Sequence, residues 1–376
     1  MIQRTTRFHK LVRSIGVGSS LSSSSKQLRV HRCFGSVAAS NAEQACEQSV
    51  ERESYNVKKN EYADLDWDNL GFGLTPTDYM YVMKCSNNGT FEQGQLNRYG
   101  NIELNPAAGV LNYGQGLYEG TKAYRKKDGN LILFRPDQNA MRMQFGAERM
   151  CMPSPSVDQF IDAVKQTVQA NKCWVPPPGK GSLYIRPLLI GSGPILGLAP
   201  SPEYTFLVYA SPVRNYFKEG SAPLNIYVEA EYDRASRGES WRCQKHYQLC
   251  SINKKNLEEV SSCNIFIVKG NLISTPAAVG TILPGVTRRS IIEIARDLCY
   301  QVEERPIPVE ELSEADEVFC TGTAVGVAPV GSITCQGKRM EYKTGAQTVC
   351  AQLYSTLVGI QTGHIEDKKG WIFEIE

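Results

Sequence analysis

At 376 residues, with 41% hydrophobic and 21% charged side chains, the chain has material for one large domain or two of ordinary size. Its net charge of +2 excludes the global basic field of a nucleic-acid binder and the acidic excess of a disordered chain. No run of about 18 apolar residues is present, so no membrane-spanning helix is expected.

The amino terminus differs from the rest. Through Ala42 there is not one Asp or Glu, while Arg4, Arg7, Lys10, Arg13, Lys26, Arg29 and Arg32 recur among serines. That composition marks residues 1–42 as an organellar transit peptide. Phe8, Leu11, Val12 and Ile15 fall at helical spacing against the bases, which favours a mitochondrion; the run Ser19–Ser25 suits a chloroplast equally well. Residues 43–60 read as a charged linker, with folded structure beginning near Tyr62.

Beyond the linker, short apolar runs alternate with Gly and Pro. Tyr79–Lys84, Gly109–Tyr113, Asn130–Phe134, Ser182–Leu189 and Tyr204–Ala210 read as strands, being short and rich in β-branched and aromatic residues. Asn139–Met150 and Val157–Asn171 carry apolar residues three and four apart and read as helices, the second begun by Ser154-Pro155-Ser156. Gly179-Lys180-Gly181-Ser182 lacks the upstream glycine of a phosphate loop and reads as a turn before a strand. Further on, Leu224–Glu229 reads as a strand, and Asn264–Lys269 and Leu272–Thr275 as a hairpin turned by Gly270-Asn271. Arg288–Leu298 is an amphipathic helix. Val309–Ser313 and Glu317–Thr321 lead into Thr323–Val330, and Gln347–Thr362 is a closing helix.

Histidine is scarce. His9 and His31 lie in the transit segment, leaving His246 and His364, too few for a Ser-His-Asp triad or a His-rich metal site. Cys263, Cys320 and Cys350 sit inside apolar segments and read as reduced, buried thiols. Cys243-x-x-His246-x-x-x-Cys250 offers three ligands without the fourth that a structural zinc needs.

A colinear set of segments is more specific. It comprises Leu111–Gly120, Leu133-Phe134-Arg135-Pro136-Asp137, Leu183-Tyr184-Ile185-Arg186-Pro187, Leu257–Asn264, Ile282-Leu283-Pro284-Gly285-Val286-Thr287-Arg288 and Thr321-Gly322-Thr323-Ala324. In order and spelling the set resembles the plant branched-chain amino acid aminotransferases, a family of fold-type IV enzymes dependent on pyridoxal 5'-phosphate (PLP). The resemblance runs from about Tyr62 to Glu376. It implies a two-domain α+β fold, with a small domain over 61–215, a connection at 216–222 and a large domain over 223–376. It also implies a homodimer, and amino transfer between leucine, isoleucine or valine and 2-oxoglutarate. Neither a membrane nor a nucleic acid is an expected partner.

Each segment then receives an expected task from the resemblance. Arg135 binds the cofactor phosphate, a match of guanidinium fork to dianion, together with the N–H groups of Val286 and Thr287 at a helix start. Glu259 keeps the pyridine nitrogen protonated, and Ser262 and Thr323 lie around the phosphate. The backbone of Thr323 and Ala324 takes the substrate α-carboxylate. Tyr113, Tyr118, Tyr184 and Tyr216 wall an apolar side-chain pocket, with Arg186 nearby. That wall and the Thr321–Ala324 loop separate this chain from D-amino acid aminotransferases and aminodeoxychorismate lyases. Val325-Gly326-Val327-Ala328 stands where animal members carry Cys-x-x-Cys, so no such thiol switch is expected.

One segment departs from the family. The lysine that links to the cofactor and moves the substrate's α-proton is expected in a Gly-Gly-Val-Lys…Asn-Tyr stretch. Arg234-Ala235-Ser236 matches the approach to that stretch and Asn253–Leu257 the far side, but Arg237–Ile252 between them lacks the motif and about one helix plus one strand. Trp241–Cys250 can be encoded TGG AGG TGT CAA AAG CAT TAC CAA CTA TGC. Dropping one base gives GGA GGT GTC AAA AGC ATT ACC AAC TAT, which is Gly-Gly-Val-Lys-Ser-Ile-Thr-Asn-Tyr. The segment therefore reads as out of frame, with a deletion restoring frame near Ser251. Lys245 is the candidate substitute by position, but it lacks the flanking glycines and tyrosine. A non-catalytic, PLP-binding partner of an intact relative is the alternative function.

Overall fold

The computed structural model describes residues 61–86, 89–214, 222–229, 248–252 and 255–376. The transit segment, the linker, Tyr216 with nearly all of the 216–222 connection, and Lys245 with the Cys243/His246 pattern lie outside the described residues.

In chain order the elements are β1 (Tyr79–Ser86), β2 (Gln95–Arg98), α1 (Gly109–Tyr113), β3 (Gly116–Tyr118), β4 (Thr121–Arg125), β5 (Leu131–Phe134), α2 (Pro136–Arg149), α3 (Val157–Ala170), β6 (Ser182–Gly191) and β7 (Glu203–Val213). There follow β8 (Leu224–Glu229), β9 (Gln248–Ile252), β10 (Asn256–Val260), β11 (Asn264–Lys269), β12 (Leu272–Thr275), α4 (Val286–Asp297) and β13 (Gln301–Glu304). The chain ends with β14 (Glu317–Gly322), β15 (Gly326–Cys335), β16 (Lys338–Glu341), α5 (Val349–Gln361) and β17 (Ile372–Ile375). They build two sheets with helices packed on them, the expected α+β arrangement. One runs β17-β5-β4-β6-β7-β1-β2, with β3 also on β6; the other runs β10-β9-β8-β15-β14-β11-β12-β13, with β16 on β15.

Pleating decides what each face of the first sheet does, because alternate side chains point opposite ways. Ala123 on β4 and Leu183, Ile185 and Leu189 on β6 turn inward and join Met143, Ala147, Phe160 and Val164 of α2 and α3 in one fully buried cluster. α3 starts where its sequence says it should. Ser156 Oγ accepts from the Gln159 N–H at 3.1 Å, and Gln159 Oε1 accepts from the Ser156 N–H at 3.0 Å, a complete capping box. The second sheet buries Ile265, Val318, Cys320 and Val330 on one side. On the other, Phe266 and Phe319 stack at 4.9 Å and pack with Ile291 of α4 and Leu353 of α5.

Three expectations are corrected. Gly109–Tyr113 is a single helical turn rather than a strand, closed by Gly114 in the left-handed conformation (φ 64°), whose N–H donates to Gly109 O. Thr323–Val325 forms the turn between β14 and β15, and the second of these strands starts only at Gly326. Nor does α5 close the chain: β17 follows it and pairs antiparallel with β5, from Ile372 opposite Phe134 to Ile375 opposite Leu131. Trp371 drives that return, being only 5% exposed and edge-on to Phe134 at 5.6 Å. Cys263, Cys320 and Cys350 are buried and in no disulfide among the described residues, as read from the sequence.

Candidate active site

The side of the first sheet turned away from its helices carries a polar and aromatic group. Lys122 on β4 stands directly opposite Tyr184 on β6, so their side chains share one face, and Gly120 and Arg186 follow at the pleat interval. Gly120 is required there: a Cβ at this position would lie 2.2 Å from Tyr184 Oη. Arg186 Nη2 donates to Tyr184 Oη at 3.1 Å, and the guanidinium lies 4.4 Å from the centre of the Tyr118 ring. Burial pushes the Tyr184 phenol up, an effect that Arg186 partly opposes. Phe72 meets the Tyr184 ring edge-on at 5.2 Å, and Tyr209 is the cross-strand neighbour of Arg186.

Three residues before Lys122 the chain faces the other way. Glu119, only 4% exposed, accepts from Arg142 Nε at 2.7 Å and Nη2 at 2.6 Å, and from Asn139 Nδ2 at 2.8 Å. This is a bidentate, charge-assisted pair. Arg142 Nη1 reaches on to Pro284 O at 3.3 Å, which ties the first sheet to the loop ahead of α4.

That loop forms a cup. Glu259 on β10 is 2% exposed; its Oε1 accepts from the Leu283 N–H and its Oε2 from Asn264 Nδ2, both at 3.0 Å. Asn264 Nδ2 also donates to Leu283 O at 2.9 Å. A Cβ on Gly285 would fall 2.1 Å from Asn264 Oδ1, so only glycine lets the loop pass this close before the helix starts. Among the described residues no side chain caps the helix at Gly285, yet the first helical residues, Val286 and Thr287, are 8% and 6% exposed. A buried helix start whose first N–H groups find no acceptor among the described residues suits an anion, and a phosphate meets it with charge and acceptors together.

Arg135, the residue just before α2, reaches the same helix α4 one turn further along with its side chain. Its Nη1 donates to Ser290 Oγ at 3.0 Å and to Glu293 Oε1 at 3.2 Å, and its guanidinium is 4.5 Å from the Trp371 ring centre. The Arg135 backbone sits at φ 49°, a left-handed conformation that a non-glycine residue keeps only when its surroundings enforce it. Here the Trp371 carbonyl, accepting from the Arg135 N–H at 2.7 Å, supplies part of that constraint.

The two turns expected to hold ligand lie side by side. Ser262 is exposed in the turn that joins β10 to β11, and a Cβ on Gly322 would stand 3.6 Å from Ser262 O. Thr323 and Ala324 follow at once. Lys122 Nζ crosses from the first sheet to donate to Ala324 O at 3.2 Å.

Tyr118, Tyr184 and Arg186 are therefore brought together on one sheet face, and Glu259, Val286 and Thr287 around one loop. Tyr113 stands apart: it is 42% exposed on α1, and its hydroxyl donates to Leu196 O. Lys122, Glu119, Arg142, Asn264, Phe72 and Tyr209 were not singled out from the sequence. Lys122 alone left a usable signal there, since it lies two residues past Gly120 in a strand whose alternation puts both on one face. Among the described residues no group of His, Cys, Asp and Glu could hold a metal ion, and no helix is long and apolar enough to cross a membrane.

The class IV amino-transferase family model matches residues 116–333, which include β3, the Glu259 cup and the 323–325 turn. The mitochondrial branched-chain amino acid aminotransferase 1 of Humulus lupulus is 62% identical over 399 aligned positions, which take in 100% of both chains. The chloroplastic branched-chain-amino-acid aminotransferase 2 of Arabidopsis thaliana is 62% identical over 372 positions, with 93% of this chain and 96% of the relative covered. Among solved structures, the Escherichia coli branched-chain amino acid aminotransferase superposes with a TM-score of 0.66 at 24% identity, over 80% of this chain and 100% of that one. On the residues aligned and the fold they build, this chain belongs to the class IV aminotransferases and, within them, to the plant branched-chain aminotransferase family.

Proposed function

We propose that this chain carries the site of a branched-chain amino acid aminotransferase, which exchanges the amino group of leucine, isoleucine or valine with 2-oxoglutarate on PLP. We propose also that, as written, it lacks the lysine that completes the reaction. The carrying observation is the cup: a buried carboxylate, Glu259, fixed by Leu283 and Asn264 beside a buried helix start that no side chain caps.

The cup's chemistry fits PLP. When bound, PLP supplies an electron sink that makes the α-proton of an amino acid labile. Glu259 would hold a proton on the ring nitrogen. Val286 and Thr287 would meet the phosphate with their N–H groups, Arg135 would add its charge across the first turn of α4, and Ser262 and Thr323 would close the rim. Thr323 and Ala324 would take the substrate carboxylate through backbone donors. Tyr118, Tyr184 and Tyr216, with Arg186, would wall the side-chain pocket. That wall suits an aliphatic side chain, and Arg186 gives the γ-carboxylate of glutamate a partner.

Moving the α-proton needs a base. Among the described residues no lysine follows the family's motif. The aligned span with the Humulus lupulus relative is 399 positions, 23 more than this chain's 376 residues, so the alignment opens gaps of that size in this chain. A lost helix and strand around the lysine would open gaps of that order. A non-catalytic PLP-binding partner of an intact relative is the second reading that this loss favours.

Leu111, Tyr113, Leu196 and Leu198, which are 60%, 42%, 91% and 95% exposed, make an apolar patch where α1 meets the 194–198 loop; it supports a homodimer across that face. The acid-free 1–42 segment and the relative's name support mitochondrial import, with the chloroplast as the alternative. The test is absorbance of the purified chain with PLP before and after borohydride, followed by peptide mapping. PLP that binds and washes out after borohydride is expected. PLP fixed on Lys245 would show a rebuilt site, and no PLP binding would overturn the cofactor assignment.

A further inference from the structure

Lys122 is a cation that the proposed reaction does not use. Several other lysines of the described residues find carboxylates, among them Lys84 with Glu203, Lys126 with Asp128 and Glu374, Lys269 with Glu314, Lys343 with Asp316 and Lys369 with Asp297. Lys122 finds none among the described residues. Its Nζ hydrogen bond is to a neutral carbonyl, Ala324 O at 3.2 Å, and burial alone pushes its pKa down to about 8. A cation withdrawn from water without a counter-charge is unfavourable for folding, and an arriving anion relieves that cost.

The place where Lys122 points makes such an anion specific. The Thr323–Val325 turn joins two paired strands, Gly322 opposite Gly326, and so has little freedom of its own. Neither the Thr323 nor the Ala324 N–H donates to a backbone carbonyl among the described residues. Two donors without an acceptor among the described residues thus stand on a turn whose carbonyl is held by an ammonium from the opposite sheet. Donors fixed in advance, with a positive charge behind them, are the elements of a carboxylate receptor.

We infer that Lys122 is a positioning residue for the substrate carboxylate, holding the 323–325 turn through Ala324 O and supplying the positive charge the turn itself lacks. This rests on the reading that Thr323 and Ala324 receive that carboxylate. It makes Lys122 a determinant of acid over neutral ligands, whatever becomes of the missing lysine, because ligand binding needs no proton transfer.

The test is titration calorimetry at pH 7 on the full chain loaded with pyridoxamine 5'-phosphate, using 4-methyl-2-oxopentanoate and its methyl ester as probes. Lys122→Gln should weaken the acid about tenfold or more and leave the ester within about twofold; Lys122→Arg should recover most of the loss. Equal weakening of acid and ester would reduce Lys122 to a packing role and overturn the inference, as would unchanged acid binding in Lys122→Gln. Failure of the unmodified chain to prefer acid over ester would overturn the carboxylate reading of the turn, and the inference with it. Should Lys122→Gln not fold, Lys122→Met, which keeps the side-chain length, carries the same comparison.

Discussion

The cup before α4 and the polar face of the first sheet are built on opposite terms. In the cup each strong group already has protein partners: Glu259 accepts from Leu283 and Asn264, and Arg135 donates to Ser290 and Glu293. On the sheet face the cations are left short, with Lys122 on a lone carbonyl and the buried Arg186 Nε without a partner among the described residues. The contrast matches the proposed ligands. A cofactor that stays bound is met by a rigid frame whose carboxylate and guanidinium are already partnered and whose helix start alone is open, whereas substrates that come and go can complete a face left electrostatically unfinished.

Breaking the frame should cost most. Glu119→Ala would strand Arg142 inside the protein, and urea unfolding should register a loss of about 3–5 kcal/mol. Glu259→Ala leaves the Leu283 N–H and the Asn264 amide short of an acceptor, a loss of about 1–3 kcal/mol with a fall in PLP affinity measurable by equilibrium dialysis.

The unfinished face should respond in the opposite direction. Lys122 has its pKa lowered in the folded chain to about 8 from 10.5, so the folded state resists charging it. Below pH 8 that penalty is present in full; it fades as pH rises from 8 to 10.5 and vanishes above. The groups on the same face, Tyr184 opposite and Arg186 beyond it, do not offset this, since burial is the cause of the shift. Lys122→Met should therefore be more stable than the parent by about 2 kcal/mol at pH 7, discounted for partial exposure, with the gap closing by about pH 10.5. Thermal melts at the two pH values decide it. The smallest effect lies away from both regions. Ser156→Ala removes the cap of α3 and should cost about 1 kcal/mol without altering PLP affinity.

The fold was readable where periodicity is strong and local. Both strands of the Gly270-Asn271 hairpin and the start of α3 lie where alternation and the capping serine put them. Gly109–Tyr113 misled because β-branched and aromatic residues suit a strand, while Gly114 just beyond them closes a helical turn. β17 escaped notice because four residues with a charge among them carry little periodic signal; its place depends on Trp371 finding Phe134, more than two hundred residues away in sequence. The site was legible only through motifs taken together. Glu259 alone looks like a solvated charge, and nothing local says that Asn264 will hold it. Glu119–Arg142 and Lys122–Ala324 are long-range pairs that no spacing rule announces.

If the chain keeps an aminotransferase site intact except for the segment around its lysine, restoring that segment should restore activity. The direct test is transfer from leucine to 2-oxoglutarate, assayed in the chain and in a variant whose residues 237–252 are replaced by the corresponding stretch of the Humulus lupulus relative. No turnover is expected in the first and turnover in the second. Activity in the unaltered chain, or a folded but inactive replacement, would contradict that expectation.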